Sequence, residues 1–271
     1  MQHNSPFTSF QRYFQIELID NTSAISAVRQ NHEACLPAPA GEEEAPIQDL
    51  FRLRHHVYCE EFQYEPKQAD GIEIDNYDEK SWHAVLRYRG SNGDTSTGQL
   101  AGCVRIVFAK QTARHPVLPL QEHYHNPFFN DVPTPTKYPV SSVCEISRLA
   151  VHRDFRRRAR EEEAKEGAIS MPAADQVRTF PLLAAGLFAA AAAIIIEKQK
   201  EHIFVMMEPK LHHRLHRKEK IRFRQIGEPI QFRGERAPYY LNAEEGQSDL
   251  RQSPNLAPLY EIVQEQLGLR S

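Results

Sequence analysis

The apolar run at residues 180–196 constrains this chain more than any other feature. Its 17 residues contain no charge and are dominated by alanine. A membrane-spanning helix needs about 20 strongly apolar residues, and alanine contributes little to lipid partitioning. The run is therefore expected to be a helix buried in a protein core, with Pro181 in its first turn and Lys198 and Lys200 near the negative end of its dipole. Strand signals flank it. Residues 143–151 are β-prone, and residues 203–207 are short and apolar throughout.

The rest of the pattern extends this alternation. Residues 14–19 alternate in strand fashion, and residues 47–62 place Ile47, Leu50, Phe51, Val57 and Tyr58 at near-helical spacing. Residues 82–89 and 100–109 read as an antiparallel hairpin turning at Asn92-Gly93. Residues 116–139, rich in proline and aromatics, suit a loop covering a pocket. Residues 210–220 look helical, and residues 230–232 and 239–241 look like short strands. Two segments stand apart: an irregular arm at 21–46, rich in Ala, Pro and Glu, and a charged, then small-residue insertion at 160–179, expected to be mobile. The order describes an α/β fold, a mixed sheet with helices on both faces. With 271 residues, 41% hydrophobic and 25% charged, the chain is expected to form one domain over 1–271.

Bulk properties narrow the function. A formal net charge of -3 argues against a general nucleic-acid binder. Cys35, Cys59, Cys103 and Cys144 lie far apart, without the spacing of a zinc site or redox pair, and read as reduced thiols. The first residues lack the layout of a secretory signal, so a cytoplasmic location is expected, with no membrane span and at most peripheral membrane contact.

Four constellations carry chemistry. Residues 70–78 hold Asp70, Glu73, Asp75 and Asp78, acids dense enough to repel one another unless cations such as Arg54 and Arg105 reach them. A buried Arg/Asp cluster, a solvated acidic loop and a metal site all fit the pattern, although the loop lacks the ligand spacing of an EF-hand. Glu145 and Arg148 are three apart, which in a regular strand puts them on opposite faces. They share one cleft only if a β-bulge breaks the strand, and the alternative is an exposed Glu/Arg pair on a sheet edge. Arg153, Arg156, Arg157 and Arg158 form a cation cluster of the kind phosphate recognition uses, or a solvated run. Finally, residues 209–236 hold nine Lys or Arg against three Glu, a local surplus of six that would steer an acidic partner.

Read together, Leu53-Arg54-x-x-Val57-Tyr58-x-x-Glu61, Tyr64, Glu73-x-Asp75-x-Tyr77-Asp78, Gly102-x-Val104-Arg105 and Glu145-Ile146-Ser147-Arg148-Leu149-Ala150-Val151 resemble the acyl-homoserine-lactone synthases in order and spacing across residues 53–151. The resemblance implies a GNAT-like fold, with a mostly antiparallel central sheet and a splayed strand, and acyl transfer from acyl carrier protein. The chain departs from that family at Tyr58 and Tyr64, where Phe and Trp are usual, and in its tail from Met207 to Tyr240. The tail looks closer to the N-acyl amino acid synthases and the acyltransferases associated with PEP-CTERM/exosortase systems.

The roles implied are these. Glu145, with Asp75 sharing the duty, takes a proton from an acceptor α-amine whose ordinary pKa is about 7.7 to 8.0. Arg105 and Arg148 complete the catalytic set, and Arg54, Tyr58, Tyr64, Asp78 and, least securely, His83 form the acceptor site. The acyl donor, a phosphopantetheine thioester on acyl carrier protein or coenzyme A, runs along Ser147, Leu149, Ala150 and Val151. Its phosphate lies near Arg153 and Arg156 to Arg158, its chain under the Ala-rich helix. Lys210, Arg214, Arg217 and Lys218 would dock the carrier protein. No metal and no tightly bound cofactor is called for. The expected product is an N-acylated amino acid or similar amine; the alternatives are a homoserine-lactone signal and a non-enzymatic module binding through the basic face.

Overall fold

In the computed structural model, residues 5–20, 22–34, 45–90, 98–111, 116–156, 169 and 171–269 are described. In chain order these form α1 (Pro6–Tyr13), β1 (Phe14–Ile19), α2 (Thr22–Glu33), α3 (Ala45–His55), β2 (Ser81–Tyr88), β3 (Leu100–Phe108), the small pair β4 (Lys110–Gln111) and β5 (Pro116–Val117), α4 (Pro119–His123) and β6 (Val143–Val151). Then come α5 (Ala173–Thr179), α6 (Leu183–Glu197), β7 (His202–Met207), α7 (Pro209–Arg214), β8 (Arg224–Gln225), β9 (Ile230–Gln231), β10 (Glu235–Asn242), α8 (Ala243–Gln252) and α9 (Leu256–Gln266). The main sheet runs β1-β2-β3-β6-β7-β10-β8, with β9 also paired to β10. Its one parallel pairing is β6 with β7; the others are antiparallel.

Both faces of the central strands are covered, and the side-chain alternation of β2 and β3 shows by what. Ala84, Leu86, Val104 and Ile106 point into a core built with α1, α6 and α9, while Val85 and Cys103 point into a second core with α2 and α3. Within the first core α6 lies as expected between the sheet and α9, its alanines buried against β2, β3 and β6. Together with α5 and the turn joining them, α6 makes a helical stretch, Ala173–Glu197, long and apolar enough to cross a membrane, but most of it is buried inside this fold. Alanine serves close packing here: Gly102 of β3 lies so near α6 that a Cβ on it would stand 2.9 Å from a methyl of Leu187 and 2.7 Å from the Ala150 carbonyl oxygen.

Two features of the sheet open a site. The parallel ladder of β6 and β7 runs from Val143 opposite His202 to Ile146 opposite Val205 and stops, so the strands part beyond that point. On its other edge, β6 spends three residues from Ser147 to Ala150 where β3 spends two from Arg105 to Cys103. The extra residue is the bulge that the Glu145/Arg148 spacing required, and Arg148 within it adopts φ 49.

Two expectations are corrected. The arm at 21–46 contains α2, which buries Ala24, Ile25 and Val28 on one face; the stretch 22–33 holds neither Pro nor Gly, and those apolar residues recur at helical spacing. Part of the insertion at 160–179 is ordered too: α5 anchors to α1 through Ser9 Oγ, which donates to Asp175 Oδ1 at 3.1 Å. Ile169 and Met171 of the insertion join the first core; residues 35–44, Cys35 included, 160–168 and 170 lie outside the described residues, as does the hairpin tip. Cys59, Cys103 and Cys144 are free and buried.

Gly102→Val should destabilise the protein by about 1–3 kcal/mol, because the added carbons meet backbone and core helix together. Chemical denaturation should show this as a lower midpoint without a change of slope.

Candidate active site

Three arginines from three elements converge. Arg54 comes from α3, Arg105 from β3 and Arg148 from the β6 bulge; the acids that meet them come from the segment joining α3 to β2. Arg54 Nε donates to Glu73 at 2.5 Å, and its two terminal nitrogens bind both oxygens of Asp78, at 2.6 and 3.1 Å. Arg105 Nη1 donates to Asp75 at 2.6 Å and to Asp78 at 2.8 Å, while its Nε holds Ser147 Oγ at 2.9 Å. Arg148 donates to Glu73 at 2.9 Å, to Asp75 at 3.1 Å and to Glu65 at 3.3 Å. Of the three readings of residues 70–78, the structure shows the buried ion cluster; among the described residues no group of acids, histidines and cysteines is arranged to hold a metal.

Burial on its own would raise the carboxylate pKa values, but the guanidiniums outweigh it. Glu73 is held down to about 2 and Asp75 well below the carboxylate range, while Arg54, Arg105 and Arg148 are pushed up by the acids around them. Glu73 and Asp75 therefore stay ionised at physiological pH. Asp75 is accordingly a poor base, which corrects its expected share in proton transfer: a carboxylate bound by two guanidiniums has little affinity for a proton.

Glu145 is the opposite case. It is 3% exposed, its carboxylate accepts a hydrogen bond from the Leu120 amide at 2.7 Å, and among the described residues it forms no ion pair with an arginine. Burial pushes it up to about 8, against smaller opposing effects from that amide and from Arg105 and Arg148. Two nearby carboxyls are thus driven apart, one fixed as an anion and one poised to exchange a proton near neutrality.

Glu145 lines a cavity of about 450 Å³ in the splay between β6 and β7. Ser147, Arg148 and Leu149 of the bulge form one wall, Val205 and Met206 the other, and Tyr58 and Tyr64 one end. Pro119, Leu120 and His123 cover it, but from the short helix α4, where a loop without regular structure is expected of the proline-rich segment. Lys210, Arg214, Arg233 and Arg236 also line it, so the basic C-terminal stretch meets the cavity. A second cavity of about 200 Å³, lined by Glu65, Glu73, Asp75, Tyr77 and Glu122, shares His123, Arg148 and Arg233 with the first. Side chains take up the carbonyls of the bulge: Tyr58 Oη donates to Leu149 O at 2.9 Å, and Cys103 Sγ to Arg148 O at 3.6 Å.

Several predicted residues sit elsewhere than expected. Arg54, Asp78 and His83 are enclosed beneath the cavity walls, their burial closing them to an acceptor. His83 is held neutral by that burial, down to about 4, its Nε2 3.7 Å from Asp78. Arg105, equally buried, reaches the cavity only through Ser147 and Asp75. Ala150 and Val151 are core residues, their side chains turned into the two hydrophobic layers and away from the cleft. Arg153 is exposed beside Asp154, and Arg156 pairs with Glu61 and stacks on Phe62 at the cavity edge; Arg157 and Arg158 lie outside the described residues. Arg217 and Lys218 are exposed on the turn after α7. Sequence reasoning missed Glu65 and Arg233, which pair with each other across the two cavities. Arg233, in a turn with φ 53, carries no motif that distinguishes it from the solvated arginines nearby.

Arg105→Ala leaves Asp75 and Asp78 buried with one cation fewer and should cost about 3–5 kcal/mol. Equilibrium denaturation of the purified variant measures this directly.

Comparison with known proteins bears on this arrangement. Residues 53–163 match the acetyltransferase (GNAT) domain model. No curated protein matches the sequence. Solved structures do match: TofI in complex with an inhibitor and MTA, at TM-score 0.54 and 14% identity, covering 89% of this chain and 99% of TofI. The acyl-homoserine lactone synthase LasI matches at 0.53 and 13%, covering 89% and 94%. The CoA-dependent acyl-homoserine lactone synthase BjaI, solved with SAM and isopentyl-CoA, matches at 0.52 and 17%, covering 92% and 98%. Residues 53–163 enclose the converging arginines, the acids and the bulge, and the chain as a whole has the GNAT fold in the form shared with the acyl-homoserine lactone synthases.

Proposed function

We propose that this chain is an N-acyltransferase that moves a fatty acyl group from an acyl thioester to the α-amine of an amino acid or a similar acceptor. The observation that carries this reading is Glu145: a buried carboxyl with a pKa near 8, at the point where two parallel strands part around a cavity of thioester size. General base catalysis works best with a group titrating near the operating pH.

The thioester lies against the bulge, its carbonyl toward backbone amides near Leu149 that stabilise charge on the oxygen. The acceptor enters from the acid-lined cavity, where Arg148 and Arg233 bind a carboxylate through paired N–H donors. Its amine nitrogen attacks the carbonyl carbon and passes a proton to Glu145. The tetrahedral intermediate then breaks its C–S bond, the thiolate recovers a proton, and the amide departs. The acyl chain runs past Phe188, the residue of α6 that lines the cavity. Lys210, Arg214 and Arg236 at the cavity suit the pantetheine phosphate, and Arg217 and Lys218 beyond it suit an acidic carrier protein. A homoserine-lactone product is the second reading, favoured by the acid-rich second cavity, which suits a cationic acceptor.

Purified protein given acyl-carrier or coenzyme A thioesters, with amino acids or S-adenosylmethionine, should release free thiol and an amide of matching mass; absence of both with every pair rejects the reading. Glu145→Gln should lower kcat by about 10²–10⁴. In the unmutated protein activity should rise with pH through about 8, as Glu145 loses its proton, and the variant should retain only the limb due to the amine. Arg217→Glu should raise KM for a carrier-protein donor and leave that for acyl-pantetheine unchanged, a comparison that also decides between the two donor types.

A further inference from the structure

The main cavity and the acid-lined cavity have His123, Arg148 and Arg233 as lining residues in common. A guanidinium keeps its protons in a protein, so of these three the imidazole is the group able to change its protonation state. Its setting leaves it free to do so. Arg148 and Arg233 are both paired with Glu65, whereas neither ring nitrogen of His123 has a hydrogen-bond partner among the described residues. The ring is placed by stacking instead, its centroid 4.6 Å from that of Phe232 with the planes 23° apart. Placement along α4 matters as well. Leu120, whose amide donates to Glu145, and His123 are three apart and so share a face of this helix, their Cβ atoms about 5–6 Å apart at that spacing. Burial pushes the imidazole below its ordinary pKa; Arg233 and Arg148 reinforce that shift, and Glu122 and Asp75 oppose it. The ring is therefore neutral near pH 7, with one nitrogen open to a proton.

An amide forms from an ammonium and a thioester only if the nitrogen sheds two protons while the sulfur gains one. Glu145 accounts for one of the two. We propose that His123 is a further catalytic residue, which takes the other proton from the acceptor's ammonium in the acid-lined cavity and delivers it to the departing sulfur in the main cavity. This inference rests on the acyl-transfer reading and deepens it. The first N–H bond breaks with its electron pair left on nitrogen, and the proton forms an N–H bond on the imidazole. That pair attacks the carbonyl carbon, and the second proton passes to Glu145, which later releases it to solvent. When the C–S bond breaks, its pair stays on sulfur and takes the imidazolium proton, so His123 ends neutral as it began. Delivery runs downhill, since a thiol with a pKa of about 8.5 holds a proton more tightly than an imidazolium at about 6.5.

The test gives the full chain two donors carrying the same acyl group, at neutral pH and with the acceptors of the assay above. One is acyl-pantetheine, whose alkyl thiolate needs a proton on leaving; the other is the acyl thioester of para-nitrothiophenol, whose thiolate is stable in water without one. His123→Phe keeps a ring to stack on Phe232 and removes the proton carrier. It should lower kcat by about 10²-fold with acyl-pantetheine and by about tenfold at most with the nitrothiophenyl donor, and added imidazole should restore part of the first loss. A gap of that size between the donors supports the role. Equal losses with both donors, which a packing defect would give, overturn it, as does an undiminished kcat with acyl-pantetheine; in either case turnover by the unmutated protein leaves acyl transfer standing. If the unmutated protein consumes neither donor with any acceptor, the acyl-transfer reading falls and the role of His123 falls with it. His123→Gln, measured in parallel, decides in the same way should the phenylalanine variant fail to fold.

Discussion

The set of guanidiniums and carboxylates between α3, β3 and β6 is the interaction on which the rest of this molecule depends. Arg54, Arg105 and Arg148 face Glu73, Asp75 and Asp78, three charges of each sign, almost all withdrawn from water. Burying any one of them alone would be prohibitive, and the mutual attraction offsets that cost only with hydrogen bonds as short and as numerous as these. The geometry is therefore all-or-none. Once Arg54 is held by Glu73 and Asp78, the connecting segment from α3 to β2 is pinned under the sheet, and Asp75, between those two acids, can reach Arg105 and Arg148.

Pinning has a chemical result. The arginines saturate Glu73 and Asp75 and leave Glu145, on the same strand as Arg148, with a single amide donor. Fixed charge lies on one side of the bulge and an adjustable proton on the other. The bulge that holds Arg148 turns the strand so that Glu145 and Arg148 line one cavity, and the end of the parallel ladder at Ile146 and Val205 supplies the space.

Much of this was legible in the sequence, and the reasons differ by element. The Ala-rich run announced a buried helix because no other setting suits 17 uncharged residues of that size, and the strands around it followed from period and length. The bulge was legible from a contradiction: Glu145 and Arg148 cannot share a face in a regular strand. The acid cluster around Asp75 announced that cations must converge, but not which residues would face the cavity. Depth is the missing quantity. Arg54 and Asp78 belong to the motif, and His83 follows it, yet all three lie beneath the cavity, and Ala150 and Val151 extend the strand but point into the core. A linear pattern records neighbours along the chain; how far a side chain sits below a surface is decided by layers that pack from elsewhere. Arg233 and Glu65 escaped for the converse reason, since their significance lies in a pairing across more than 160 positions, with no local pattern on either side.

The hydroxyl of Tyr58 touches the Leu149 carbonyl from the helical turn that continues α3. That turn and Arg54 belong to one continuous helical stretch, so the acid-lined compartment and the compartment beside the bulge are joined by two tethers, one ionic and one through a phenol. Neither wall can shift by itself. The distance between the two compartments is a dimension of the scaffold, set by the fold itself.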